Sequence, residues 1–204
     1  MRLEVASRKA INYACLNFHY AKSVPNVGVA YSVFNNNNDW CGVICYGLGA
    51  NQYIAKEFGL NQGQAIELLR VALNGKQEIT SKALSISLKL IKKNNPLVKL
   101  IVSYADANQN HNGSIYQATN WFYIGEYAKE QGIMLNGKLI HRRSINSKYK
   151  TSKIEWLKNN IDKNAVVVIG KPKYKYIFPL DNEIKKLCEK LKKEYPKKNA
   201  VEVH

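Results

Sequence analysis

The stretch "AIELLRVALNGKQEITSKALSISLKLIKKNNPLVKLIVSYAD", Ala65 to Asp106, decides the fold. It opens on an apolar run, Ala65 to Leu73, that carries two charges, Glu67 and Arg70. The polar turn "NGKQE" follows. In "ITSKALSISLKLIKK" the apolar residues recur at helical spacing. Leu84, Leu88 and Ile91 form one ridge, and Ala83, Ile86 and Leu90 widen it. Thr80 or Ser81 can cap this helix, and Pro96 stands beyond its end. "VKLIVSYAD" then reads as a buried strand. A strand, a turn, a helix and a second strand in this order make a parallel crossover.

Upstream, Ser7 to Cys15 reads as a short helix that Ser7 can cap, with Ala10, Ile11 and Ala14 on one face. "VGVAYSVF" and "WCGVICYGLG" are strand-like runs joined by "NNNND", a hairpin. "NQYIAKEFGL" predicts a short helix ending near Gly59. Downstream, "GSIYQATN" is a short helix and "WFYIGEY" a strand. "GIMLNGKLIH" carries Asn136-Gly137 between apolar flanks, a hairpin signal. "KTSKIEWLKNNI" is a helix that Thr151 or Ser152 can cap. "AVVVIG" and "YKYIFPL" are strands, and "DNEIKKLCEKLKKEY" is a final helix with Asp181 as cap.

An antiparallel hairpin ahead of a parallel crossover predicts a mixed α/β sheet. This order resembles the GNAT fold of acyl-transferases. The resemblance implies that two central parallel strands splay apart and that a helix N-terminus between them holds the cofactor's pyrophosphate. The splayed strands are then "AIELLRVAL" and "VKLIVSYAD". The phosphate-facing corner is "NGKQEITSK", where the free N–H groups at Ile79, Thr80, Ser81 and Lys82 favour an anion. Of the family's Gly-rich loop only Gly75 is present. A coenzyme A thioester is the donor this corner suggests.

The chain has 204 residues, 46% of them hydrophobic, which suits one domain with an appendage. We divide it into a catalytic core, 1–146, and a basic helical and strand region, 147–204, packed on the core. The formal net charge is +16, from 31 Lys and Arg against 15 Asp and Glu. Such a field draws polyanions, with nucleic acid the first partner expected and an acidic membrane surface the second. A Lys-rich protein from an A·T-rich genome is the plain alternative. Most of the excess follows Lys138, and Arg142, Arg143, Lys148, Lys150, Lys173 and Lys175 are the expected phosphate contacts. No apolar run approaches the roughly 20 residues that span a bilayer. "MRLEVASRKAINYA" lacks the apolar centre of a signal peptide, so a cytoplasmic location is expected and no membrane partner. Cys15, Cys41, Cys45 and Cys188 show no zinc-type spacing and read as buried thiols.

Three polar clusters stand out. Ser103, Tyr104 and Asp106 lie at the carboxyl end of a parallel strand, where α/β sheets place their ligand crevice. In the neighbouring strand Glu67 and Arg70 are three residues apart, hence on opposite faces of a regular strand. The plain readings are an ion pair for those two and a turn or capping role for Asp106. "LNFHYAKSVP" brings His19, Tyr20, Ser23 and Pro25 into one polar aromatic loop, and a lone His is more often structural. Gly113, Tyr116, Gln117 and Asn120 share one helical face behind His111. Amides there can pair with adenine; a capping and sheet-covering segment is the alternative.

Together "NFHYAKSVP", "IELLRVAL", "SYADANQNHNGSIYQATNWFYIG" and, weakly, "KPKYKYIFPLD" resemble the Mom proteins of bacteriophages, from about Asn12 to Asp181. The resemblance implies a GNAT-like enzyme that adds a carbamoylmethyl (acetamido) group to N6 of adenine in double-stranded DNA. It implies protection of phage DNA from restriction nucleases. Carried over by motif, His19, Tyr20, Glu67, Arg70, Ser103, Asp106, Tyr116 and Gln117 form the active site. Asp106 is expected to accept the N6 proton, and Arg70 or Ser103 to stabilise an oxyanion if the donor is an activated carboxyl derivative. His19 and Tyr20 activate the donor or bind iron, and Trp121 and Tyr123 stack a base. The residues leave the donor open, a coenzyme A thioester and an aminoacyl-tRNA being the two candidates. Two rival functions remain: a GNAT-type N-acetyltransferase of small molecules or proteins, and a non-enzymatic nucleic-acid-binding protein.

Overall fold

The computed structural model describes residues 1–49, 53–127 and 131–196. The elements run β1 (Arg2–Val5), α1 (Arg8–Asn17), β2 (Val29–Phe34), β3 (Trp40–Gly47), β4 (Ala65–Leu73), α2 (Thr80–Asn94), β5 (Leu100–Asp106) and α3 (Ser114–Gln117). They continue with β6 (Phe122–Tyr127), β7 (Gln131–Leu135), β8 (Lys138–His141), α4 (Arg142–Tyr149), α5 (Ile154–Asn160), β9 (Val166–Ile169), β10 (Lys173–Pro179) and α6 (Asn182–Leu191). Short 3₁₀ turns lie at Lys56–Phe58 and Ala107–Gln109.

Seven strands form one sheet in the order β1-β2-β3-β4-β5-β10-β6. The β2–β3 hairpin is antiparallel, β3 pairs antiparallel with β4, and β4 pairs parallel with β5. The mixed sheet with its central parallel pair is thus the expected one. The parallel pairing is short: Ala65, Ile66 and Glu67 oppose Leu100, Ile101 and Val102, and no register continues beyond. The two strands diverge from Leu68 and Ser103 onward, which is the expected splay.

Ser7 caps α1 by accepting from the Ala10 N–H, and Asp181 caps α6 by accepting from Ile184. For α2 the expectation of a Thr80 or Ser81 cap is corrected. Ile79 is the N-cap, and it makes no side-chain capping hydrogen bond. Thr80 Oγ1 is engaged instead with Gln77 Nε2 at 2.9 Å. Likewise Lys153, not Thr151 or Ser152, begins α5. Two elements were not expected: the exposed edge strand β1 and the helix α4.

The described residues divide into two compact units. The first comprises Met1–Tyr104, Gly113–Ile124 and Lys175–Pro196, and the second Ala105–Asn112 and Gly125–Tyr174. Within the first, α1 buries Ile11, Ala14 and Cys15 against Ala30, Val43, Cys45 and Ala72 on one sheet face. On the other, the Tyr46 hydroxyl meets Ser87 Oγ of α2 at 2.6 Å. A second cluster joins Ile54, Phe58, Leu100, Val102, Ile177 and Ile184. Each such buried aliphatic or aromatic side chain contributes about 1.5–3 kcal/mol. The second unit has its own core of Ile133, Leu135, Ile145, Leu157 and Ala165 around the sheet β8-β7-β9. Among the described residues no helix is long and apolar enough to cross a membrane.

Candidate active site

The divergence of β4 and β5 creates the polar centre of the first unit. One step past the last parallel pair, Ser103 Oγ donates to the Leu68 carbonyl at 3.1 Å and lies 2.9 Å from the Tyr116 hydroxyl. A carbonyl only accepts and a serine has one hydroxyl proton. With that proton on Leu68, the phenol is the donor to Ser103. Ser103 and Tyr116 are both buried. Burial pushes the Tyr116 hydroxyl up to about 12, partly offset because Ser103 Oγ can turn its proton to the ionised phenol, while Tyr20 and Glu67 raise it further. Tyr116 is therefore a protonated donor at neutral pH, and Tyr20 and Glu67 lie within its electrostatic reach. Five expected site residues gather here: Tyr20, Glu67, Ser103, Tyr116 and, beside Tyr116 on α3, Gln117.

Tyr176, on β10, was not foreseen. Its ring is fully buried 5.0 Å from that of Tyr116, and its hydroxyl accepts from Gln117 Nε2 at 3.2 Å. Burial also holds its hydroxyl high, at about 12. Gly113, in the left-handed region at φ 81°, makes room for it, because a Cβ there would collide with the Tyr176 ring. The alternating tyrosines of "KYKYIF" were the available signal. Trp121 is fully buried between the rings of Tyr116 and Phe178, and Tyr123 lies against Tyr176. Trp121 therefore packs this core and is closed to a base.

Glu67 and Arg70 do not lie on opposite faces. β3 and β4 change register: Cys45 opposes Arg70, Tyr46 opposes Leu68, and Gly47 opposes Glu67. Leu69 is thus the extra residue of a β-bulge. Cys45 and Gly47 share a face, so their partners Arg70 and Glu67 share it too. Glu67 fits because Gly49, at φ 74°, carries no Cβ to displace its carboxylate. Arg70 donates to the Leu69 carbonyl at 2.7 Å and to Ser23 Oγ at 3.4 Å, tying the loop after α1 to the bulge. Its buried Nε has no partner. Beside it, hydrogen bonding from Cys45 pulls the Cys15 thiol down against the opposing effect of burial, with Arg70 and Arg8 adding to the fall. The hydrogen bond to Cys15, and then burial, push Cys45 up.

In that loop His19 Nδ1 accepts from the Ala21 N–H at 3.1 Å, so a neutral His19 carries its proton on Nε2. The Tyr20 ring lies 4.3 Å from the imidazole, and Tyr20 is half exposed. Among the described residues no group of three His, Cys, Asp or Glu side chains is placed to hold a metal ion.

Asp106 belongs to the second unit. Its Oδ1 accepts from both the backbone and side-chain nitrogens of Asn108, at 2.9 and 3.1 Å. Asn108 in turn accepts from Lys171 N–H at 2.9 Å. The carboxylate thus caps the turn that follows β5. Ile79 to Lys82 begin α2, with an uncapped first turn containing no acid, which suits an anion.

Of the expected phosphate contacts, Arg142, Arg143 and Lys148 are exposed along α4, and Lys150 is exposed at its end. Lys173 is half-buried. Lys175 is corrected: it is buried, its Nζ 2.6 Å from both carboxylate oxygens of Glu57 and 5.2 Å over the Phe58 ring. It holds the core and presents no charge to a phosphate.

Comparison with known proteins follows this geometry. The profile described as the Mom protein family matches residues 1–197. The chain is 29% identical over 174 residues to "Methylcarbamoylase mom" of Escherichia phage Mu, covering 82% of this chain and 70% of that one. In structure it is similar to a chimeric spermidine N-acetyltransferase SpeG from Vibrio cholerae. The TM-score is 0.50 at 9% identity, over 88% of this chain and 97% of that one. A Bacillus subtilis acetyltransferase solved with CoA gives 0.47 at 11%, over 87% and 97%. The fold is that of the acetyltransferases.

Proposed function

The chain belongs to the Mom protein family, and from that premise we propose that it modifies adenine in DNA by adding a carbamoylmethyl group to N6. In a phage-infected cell this protects the DNA from restriction nucleases. The observation that carries the reading is the buried Tyr116 hydroxyl against Ser103, at the point where β4 and β5 part.

The adenine N6 amine is a weak nucleophile, because its lone pair is delocalised into the ring. Transfer forms one bond to N6 and releases one N6 proton. Asp106 is the acceptor of that proton in our assignment. Tyr116, held protonated by burial, gives a hydrogen bond or its proton to the departing side of the donor. Ser103 then turns its own proton toward the phenolate. Arg70, with Nε unpartnered, balances a developing negative oxygen. Glu67, beside Gly49, and Gln117 orient the acceptor base, and Tyr20 and His19 flank it.

The donor we favour is a coenzyme A thioester, with its pyrophosphate on the first-turn N–H groups from Ile79 to Lys82. Such a thioester would be attacked at its carbonyl carbon with the thiol leaving. A glycyl group placed on N6 in this way is an isomer of carbamoylmethyl and would have to rearrange so that its methylene carbon carries N6. An aminoacyl-tRNA donor meets the same basic chain and is the second choice.

The test is mass spectrometry of nucleosides from DNA of cells expressing the chain. A deoxyadenosine heavier by one carbamoylmethyl group is expected. Unmodified deoxyadenosine with soluble protein present overturns the reading. Acetylated polyamine or protein in its place establishes an N-acetyltransferase, which the fold also accommodates.

A further inference from the structure

A second cleft lies away from this site, between α1 and the strands β1, β2 and β3. It measures about 600 Å³ and is lined by Glu4, Ser7, Tyr13, Ser32, Phe34 and Trp40 among others. That volume is in the range of small-ligand sites. The strand register explains the assembly. Glu4 opposes Ser32 and Phe34 opposes Trp40, so all four share the face that α1 partly covers. None of the lining residues belongs to the centre around Ser103 and Tyr116.

Aromatic rings dominate the walls. Tyr13 projects from α1 and is 54% exposed. Its ring lies 5.9 Å from Trp40 and, edge-on at 82°, 5.6 Å from Phe18. Trp40 Nε1 donates to Ser32 Oγ at 3.3 Å, which satisfies its polar end and holds the indole in place. Cations stand beside the rings. The Arg2 guanidinium sits 4.5 Å over Phe34, Lys9 lines the cleft, and Arg8, the residue before Lys9 in the chain, is exposed. Glu4, ion-paired with Arg2, leaves carboxylate lone pairs at the rim.

Open rings next to cations are what a single-stranded nucleic acid needs. Bases stack on the rings and phosphates meet the cations. A purely apolar ligand would leave the Lys9 charge at the cleft unmet, and a second copy of a chain of charge +16 would be repelled. We propose that this cleft holds an unpaired nucleobase of a single-stranded nucleic acid, stacked on Tyr13 and Trp40, with the neighbouring phosphates on Arg8 and Lys9. The proposal shares with the adenine-modification reading only the class of partner.

The experiment uses the full chain and fluorescence anisotropy at fixed salt. The probes are a short labelled oligodeoxyadenylate, its abasic counterpart, the matching oligoriboadenylate and a duplex. The base-bearing strands should bind about tenfold or more tighter than the abasic one. Tyr13→Leu, apolar but ringless, should erase that difference, and Tyr13→Phe should keep it. Duplex binding should be equal in all three proteins. The ribo- and deoxyribo-arms show whether RNA or DNA is preferred. Equal affinity of base-bearing and abasic strands overturns the proposal, as does unaltered binding by Tyr13→Leu. Nucleoside mass spectrometry separates the two readings. Base-dependent binding without modified adenine defeats only the proposed function, and modified adenine without base-dependent binding defeats only the stacking site.

Discussion

The Tyr116 hydroxyl lies 2.9 Å from Ser103 Oγ, and the serine in turn donates to the Leu68 carbonyl. The three atoms form a relay that begins where the parallel strands separate. Its two side chains play unequal parts. Tyr116→Phe leaves Ser103 bonded to Leu68, so stability should change by about 1 kcal/mol. Modification should fall about a hundredfold or more if Tyr116 gives up its proton. Ser103→Ala orphans both the phenol and a buried carbonyl, and should cost about 1–3 kcal/mol. Urea unfolding and nucleoside mass spectrometry on both variants check this. Normal modification by Tyr116→Phe removes it from the mechanism.

Burial sets a pH dependence as well. Tyr116 ionises at about 12 in the folded protein against 10.0 ordinarily. The folded state therefore holds a proton that the unfolded chain loses first. Its contribution is complete below pH ~10 and declines as the pH climbs toward 12, by about 3 kcal/mol in all. Tyr46 and Tyr176 are raised by burial too and act in the same direction. Urea midpoints measured across this window should drop steeply for the native protein and less steeply for Tyr116→Phe. Parallel curves would show that Tyr116 does not titrate late.

Legibility in the sequence tracked the range of the forces involved. The crossover from Ala65 to Asp106 was readable because its helical ridge and flanking apolar runs are local patterns. The turn at Asn136-Gly137 was readable because both residues take positive φ there. The bulge at Leu69 was not. A single inserted residue leaves no mark on composition, yet it turns Glu67 and Arg70 to one face. α4 was hidden because, of its eight residues, only Ile145 is buried and the rest read as loop. Lys175 looked like one more surface cation. What buries it is Glu57, 118 positions away. Distance in chain concealed Tyr176 as well, since its partner Gln117 lies 59 positions away and Gly113 and Tyr116 come from the same distant segment.

The Glu57–Lys175 pair makes a prediction opposite to that of a phosphate contact. Glu57→Gln leaves a buried ammonium without its countercharge. With Glu57 itself 48% exposed, water offsets part of the loss, and a cost of about 1–3 kcal/mol is expected. Lys175→Met, similar in length and apolar, should be far better tolerated and should leave DNA affinity unchanged. A drop in DNA affinity with Lys175→Met at constant stability would restore this residue to the binding face.

Helix α4 should carry the salt-dependent grip on DNA. Replacing Arg142, Arg143, Lys148 and Lys150 with Ala removes up to four phosphate contacts from exposed positions. Each contact contributes a slope of about 0.9 in log K against log salt. The slope should flatten by about 3 to 4, with affinity falling alike for all duplex sequences. His141 accepts from the Arg143 N–H and begins the helix, so it is kept. An unchanged slope would mean that α4 is a solvated surface.

Asp106→Asn separates two roles of one carboxylate. In its capping role, Oδ1 accepts from Asn108 N and Nδ2. An asparagine offers the same oxygen in the same place and caps nearly as well. The turn after β5, and the Asn108 bond to the Lys171 backbone, should survive. The melting temperature should therefore stay where it is. What asparagine cannot do is accept a proton as a carboxylate does. If Asp106 takes the N6 proton, modified deoxyadenosine should vanish from the DNA of cells expressing the variant. Asp106→Ala supplies the contrast, losing the cap and the carboxylate together and melting lower. Full modification by the Asn variant, with the Ala variant merely less stable, would leave Asp106 as the cap of its turn and pass the proton to Glu67.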